Sequence, residues 1–144
     1  MIGIILTGHG NFATGLYSSV ELIAGAKENF YCCDFVEGAS SEDLQVKLSE
    51  TINQLKERCQ GIIIFSDLKG GSPFQKAVIV AHGQDNIEVI AGSNLPMILE
   101  IAVAREFIDD LGQLTEMAIN TGKDQIYRYE EIKRQVTNES EDGI

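Results

Sequence analysis

Two hydrophobic periods alternate along the chain. Residues 1–7 are apolar and β-branched with no polar alternation, which predicts a central parallel strand covered on both faces. From Asn11 the period lengthens: Phe12, Leu16, Val20 and Ile23 recur at helical spacing as far as Gly25, a residue suited to ending a helix. Residues 29–36 predict a second strand. The Gly38-Ala39-Ser40-Ser41 loop leads into a helix that Ser40 or Ser41 caps, with Glu42 and Asp43 favourable in its first turn. Leu44, Leu48, Ile52, Leu55 and Cys59 mark the buried stripe of that helix, and Gln45, Lys47, Glu50, Gln54 and Glu57 its wet face.

A third strand follows at residues 61–66. Ser72-Pro73 reads as a helix start, the hydroxyl taking an orphan amide and proline fitting the first turn, with Phe74, Val78 and Ala81 turned inward. Residues 87–91 make a fourth strand that ends in Gly92-Ser93-Asn94. Pro96 then opens a helix carrying Met97, Ile98, Ile101 and Ala102 to the core. After Arg105 the regularity weakens into an acidic connection, a helix over 111–120 with Gly122 as its end, and a brief fifth strand at 125–129. Four strand–helix units in unbroken succession predict a doubly wound α/β fold: a mostly parallel sheet of order 2-1-3-4 with helices on both faces. No repeat or second-domain boundary interrupts residues 1–130, and residues 131–144 form a polar tail, frayed or marginally helical.

At 144 residues and 44% hydrophobic, the chain supports one domain with its own core. Eleven basic against 22 acidic residues give a formal charge of −11, which argues against nucleic acid or an anionic membrane surface as partner. No apolar run reaches the roughly 18 residues of a membrane span, and the start lacks a signal peptide's basic and small-residue features, so a cytoplasmic location is expected. Cys32, Cys33 and Cys59 read as reduced structural thiols, since neighbours on a strand point to opposite faces and none has metal-site spacing.

Against this frame two strand ends carry the chemistry. Ile4-Ile5-Leu6-Thr7-Gly8-His9-Gly10 stops at a histidine held between glycines, and Ile62-Ile63-Ile64-Phe65-Ser66-Asp67 stops at a carboxylate. With the order 2-1-3-4, strands 1 and 3 are neighbours about 4.8 Å apart, and the topological switch point falls between His9 and Asp67. A carboxylate on one imidazole nitrogen fixes the ring and leaves the other nitrogen nucleophilic toward phosphorus. Donors for a phosphoryl group are expected from amides after Gly10, from the Leu68-Lys69-Gly70-Gly71 loop, and from Ser72 at its helix start. Each feature alone has a plainer reading: a loop histidine, a turn aspartate, a Gly-Gly-Ser-Pro helix start, a solvated Lys69. Only their joint placement at one switch point supports chemistry. His82 sits at a helix end in a structural or dipole role, metal ligation lacks a second histidine or cysteine at His9, and Ser72 lacks a nucleophile elbow.

These motifs resemble a known family. Thr7-Gly8-His9-Gly10, Asp67 with Gly70-Gly71-Ser72-Pro73-Phe74, and Val89-Ile90-Ala91-Gly92-Ser93-Asn94-Leu95-Pro96-Met97 are similar to the enzyme IIA component of the mannose/fructose/sorbose family of the bacterial phosphotransferase system, over residues 1–130. The resemblance implies a cytoplasmic phosphoryl carrier without a cofactor. It takes phosphate from phosphorylated HPr on His9, with Asp67 as partner, and passes it to an enzyme IIB as membrane components import sugar. Gly71, Ser72 and the Leu68-Lys69 loop fall where the family lines the phosphoryl site. The family also implies a homodimer whose antiparallel fifth strand is exchanged, which gives residues 125–129 a purpose. Gly8 stands where some mannose-specific members have threonine, and Lys69 where they have an aromatic. The Thr-Gly-His-Gly form with Phe12-Ala13 and Gly15 resembles the N-acetylgalactosamine/galactosamine branch. The short tail implies a separate enzyme IIB. Two other readings stay open: the phosphotransfer subunit of dihydroxyacetone kinase, which passes phosphate to a kinase-bound nucleotide, and a regulatory domain holding a phosphorylated metabolite without chemistry.

Overall fold

The apolar run at the amino terminus becomes strand β1, Ile2–His9, buried at every position but its last. In the computed structural model, which describes residues 1–132, it is followed by α1 (Phe12–Ala24), β2 (Phe30–Phe35), α2 (Ser41–Lys56), β3 (Gly61–Ser66), α3 (Ser72–Ala81), β4 (Ile87–Ile90), α4 (Leu95–Ala104) and α5 (Leu111–Asp124). All strand pairs are parallel, in the order β2-β1-β3-β4, as the strand–helix alternation predicts.

Alternation along β1 divides the core between the two faces of the sheet. Ile4 and Leu6, with Ile63 and Phe65, pack under α1, α4 and α5 through Ala13, Val20, Ile98, Ile101 and Leu114. Ile5, Ile62 and Ile64 face α2 and α3 through Leu48, Ile52, Leu55 and Ala77. The stripes expected of α2 and α4 are buried as read. Ser40 caps α2 by accepting from the Asp43 amide at 3.1 Å.

Two helices depart from their expected faces, α1 at one position and α3 throughout. In α1, Val20 is buried and Leu16 packs on the core as expected, but Ile23 is exposed and the small Ala13 is buried. In α3, Pro73 and Ala77 face the sheet in place of Phe74 and Val78; Gly71 is the cap, so Ser72 is the first helical residue and makes no capping bond. The small Ala77 lets α3 lie close to the strands, and the bulkier Val78 and Ile79 are left outside. Gly122 does not end α5. A Cβ there would sit 3.0 Å from Met97 Sδ, so the glycine permits α5 to close on α4. Residues 125–129 pair with no strand among the described residues, and Ile126, Tyr127 and Tyr129 are exposed. Their pattern suits a strand, but the ladder needs a neighbour that the described residues do not offer. The expected tail lies, from residue 133, outside the described residues.

Arg105 anchors the amino ends of the strands. Its guanidinium is buried, donates to the Ile2 and Asn29 carbonyl oxygens at 3.0 Å each and to that of Glu28, and lies over the Phe30 ring. Cys32, Cys33 and Cys59 are free thiols; burial pushes all three upward, Cys32 to about 12, which leaves them unreactive. Among the described residues no helix is long and apolar enough to cross a membrane.

Candidate functional site

β1 runs two residues beyond its expected end, so His9 is its last residue, paired in register with Phe35 of β2. Gly8 makes room for α1: a Cβ there would lie 2.5 Å from the Phe12 ring. Gly10 then turns the chain at φ +58°, its amide donating to the Phe35 carbonyl oxygen at 2.8 Å. The Phe35 ring meets the imidazole edge-on, with centroids 6.0 Å apart.

β3 delivers Asp67 directly beside this histidine. Asp67 Oδ2 lies 2.7 Å from His9 Nδ1 and accepts the His9 backbone amide at 2.9 Å, while Oδ1 accepts the Leu68 amide at 2.7 Å. Burial pushes the Asp67 carboxyl upward, but the His9 amide, the His9 ring and the Leu68 amide together outweigh it and hold the group below the ordinary carboxylate value. An ionised carboxylate only accepts, so Nδ1 carries the proton of the bond and Nε2 keeps its lone pair. The side chains differ in exposure, 46% for His9 against 11% for Asp67, so the imidazole stands largely open to solvent while its partner is mostly covered.

Gly71, the cap of α3, closes the other side of the ring. A Cβ there would stand 2.8 Å from His9 Cε1 and 3.5 Å from Nε2. The start of α3 therefore faces the free nitrogen, and the helix end favours negative charge there. The Ser72 hydroxyl and amide have no partner among the described residues, whereas the Gly71 amide donates back to the Leu68 carbonyl oxygen at 3.1 Å. Gly70 makes the turn at φ +86°, and Leu68 and Lys69 are exposed beside it.

Two expected anion donors are already engaged. The Gly10 amide is used by the Phe35 carbonyl oxygen of β2, and Asp34 accepts the Thr14 amide at 3.1 Å and the Thr14 hydroxyl at 2.6 Å, placing a carboxylate on the start of α1. Asp34 and Phe35 arrive from β2, with no motif in the sequence to mark them. Thr7 turns its hydroxyl to the Cys33 carbonyl oxygen at 2.9 Å, inside the core. His82 is exposed at the far end of α3, a ten-residue helix away from His9. No group of three or more His, Cys, Asp or Glu among the described residues is arranged to hold a metal ion. The clefts of about 480 Å³ and 420 Å³ lie at the amino ends of the strands, away from His9, which stands on open surface suited to meeting another protein.

Residues 3–119 match the model of the family described as PTS system fructose IIA component. The chain belongs to this EIIA family. It is 33% identical over 123 residues to the mannose-specific EIIAB component of Escherichia coli strain K12, a match that covers 85% of this chain and 38% of that longer protein. The fructose-specific EIIA component of Bacillus subtilis strain 168 is 30% identical, over 75% of this chain and 73% of its own length. Among solved structures, an EIIA component from Streptococcus agalactiae superposes with a TM-score of 0.81 at 32% identity, covering 89% of this chain and 97% of its own. The chain thus spans well under half the length of that mannose-specific relative, and a sorbose-specific EIIA component of Lacticaseibacillus casei is 33% identical over 69% of this chain and 71% of its own length.

Proposed function

We propose that this EIIA domain carries a phosphoryl group transiently on His9 Nε2, accepting it from phosphorylated HPr and giving it to an enzyme IIB in the cytoplasm during sugar uptake. The observation that carries the reading is the double hold of Asp67 on His9, at Nδ1 and at the backbone amide, with Nε2 left exposed beside the start of α3. In the forward step the Nε2 lone pair attacks phosphorus and the P–N bond to the donor histidine breaks, its electron pair returning to the donor imidazole. The Nδ1 proton stays on the ring, and Asp67 stabilises the positive charge that develops. The phosphoryl oxygens meet the Ser72 hydroxyl and amide and the loop of Leu68, Lys69, Gly70 and Gly71. Transfer onward to enzyme IIB reverses these bonds and needs no cofactor.

The Thr7-Gly8-His9-Gly10 form supports the N-acetylgalactosamine/galactosamine branch. The exposed Ile126, Tyr127 and Tyr129 support a homodimer in which residues 125–129 add a strand to the free edge of the partner's sheet. The test is labelling. Incubated with labelled phosphoenolpyruvate, enzyme I and HPr, the chain takes up acid-labile, base-stable phosphate, and His9→Ala takes up none. Full labelling of His9→Ala overturns the reading.

A further inference from the structure

Asp67 is held from behind by the turn between β4 and α4. The Gly92 amide donates to the Asp67 carbonyl oxygen at 2.8 Å, and the Ser93 amide to that of Ser66 at 3.1 Å. Gly92 sits at φ +70°, a conformation that glycine adopts without strain. The residue after this pair, Asn94, makes two bonds of opposite sense. Its side-chain oxygen accepts the Met97 amide at 3.3 Å and so caps α4, while its side-chain nitrogen donates to the Gly122 carbonyl oxygen at 3.0 Å in the last turn of α5.

The cap alone does not require asparagine. Aspartate serves a helix start as well, but it has no donor for Gly122, whereas the asparagine side-chain amide offers an acceptor to Met97 and a donor to Gly122 at once. The approach that makes the second bond possible depends on Gly122, where a Cβ would press on Met97 Sδ. A cleft of about 220 Å³ between Gly92, Asn94, Gly122 and Ile126 marks the place where the chain leaves α5.

We infer that Asn94 is a positioning residue for Asp67, fastening the turn that grips the carboxylate's backbone to the end of α5. The chain then reads continuously from Ile126 through Gly122, Asn94 and the Gly92 turn to Asp67 and His9, so whatever engages residues 125–129 acts on the orientation of the imidazole. The consequence for phosphate transfer rests on the reading of His9 as the phosphoryl acceptor; the mechanical link does not.

Asn94→Asp keeps an oxygen for the Met97 amide and removes the donor to Gly122. Amide hydrogen exchange in the full chain is read at His9 and Leu68, the two amides that donate to the Asp67 carboxylate. Exchange at both is expected to quicken about fivefold, the equivalent of one hydrogen bond, with Ile5 and Ile63 unchanged. The maximal rate of labelling from phosphorylated HPr falls with it, while the donor concentration giving half that rate stays the same. Wild-type exchange at His9 and Leu68 in Asn94→Asp, or a rise shared equally by Ile5 and Ile63, overturns the inference. Exchange is measured without a phosphate donor, so a chain that responds as expected but takes no label sinks the proposed function and leaves the link standing.

Discussion

One carboxylate oxygen of Asp67 holds His9 at two points, 2.7 Å from the ring nitrogen Nδ1 and 2.9 Å from the backbone amide. The ring is thereby fixed in tautomer by the same contact that fixes the end of its strand. Asp67→Asn keeps the shape but cannot be an acceptor to both donors with the same charge. Phosphate uptake by His9 is expected to slow on the order of a hundredfold, the lower range of what a positioned acid–base partner supplies. Rapid-quench single-turnover labelling measures it, and an unchanged rate removes Asp67 from the mechanism.

The same contact makes stability depend on pH. The folded Asp67 carboxyl lies below its unfolded value of about 3.9, so its contribution is fully present above that pH and is lost as pH falls through the lower folded value. In urea unfolding, the stability difference between the wild-type chain and Asp67→Asn is expected to be constant near neutrality and to shrink below about pH 4. A difference that grows on acidification contradicts the assignment.

Gly70 and Gly71 are neighbours with different tasks. Gly71→Ala puts a methyl 2.8 Å from His9 Cε1 at φ −73°, a conformation alanine accepts, so the fold should persist while the ring is displaced. Labelling is expected to fall on the order of 10²-fold, as for other small misplacements of reacting groups. Gly70→Ala instead meets open space at φ +86°, and its expected effect is a loss of about 1–2 kcal/mol in stability. Thermal unfolding together with labelling separates the pair.

Arg105→Met retains the apolar stem and removes the donors to the Ile2, Glu28 and Asn29 carbonyl oxygens. Stability is expected to drop by about 3 kcal/mol or more, since buried carbonyls lose charged partners. Labelling per folded molecule should be unchanged. Denaturant titration and labelling of the folded fraction check both halves of the statement.

Much of this was legible in the residues, for reasons that also mark the boundary. The stripes of α2 and α4 are made of large side chains at regular spacing, and those were read correctly. In α1 and α3 small residues, Ala13 and Ala77, take buried positions that a pattern weighted toward bulk passes over, which turns the expected face of α3 and misplaces Ile23 at the end of α1. His9 and Asp67 were legible as a pair because strand order alone brings them together. The state of the surrounding amides was not, because the end of β2 takes the Gly10 amide and the turn at Gly70 takes that of Gly71. Asp34 escaped notice because its partner, Thr14, lies 20 residues away and across a strand boundary. Residues 125–129 have a strand's pattern, but pairing is a property of two segments, and no second one lies beside them among the described residues.

Arg105 gathers the amino ends of β1 and β2, while His9 and Asp67 occupy the carboxyl ends of β1 and β3, a full strand length away. The two poles of the sheet are thus under separate constraints. Side-chain substitutions at the exposed Leu68 and Lys69 draw on none of the contacts that keep the strands together, and so this pole of the domain is free to diverge faster than its fold.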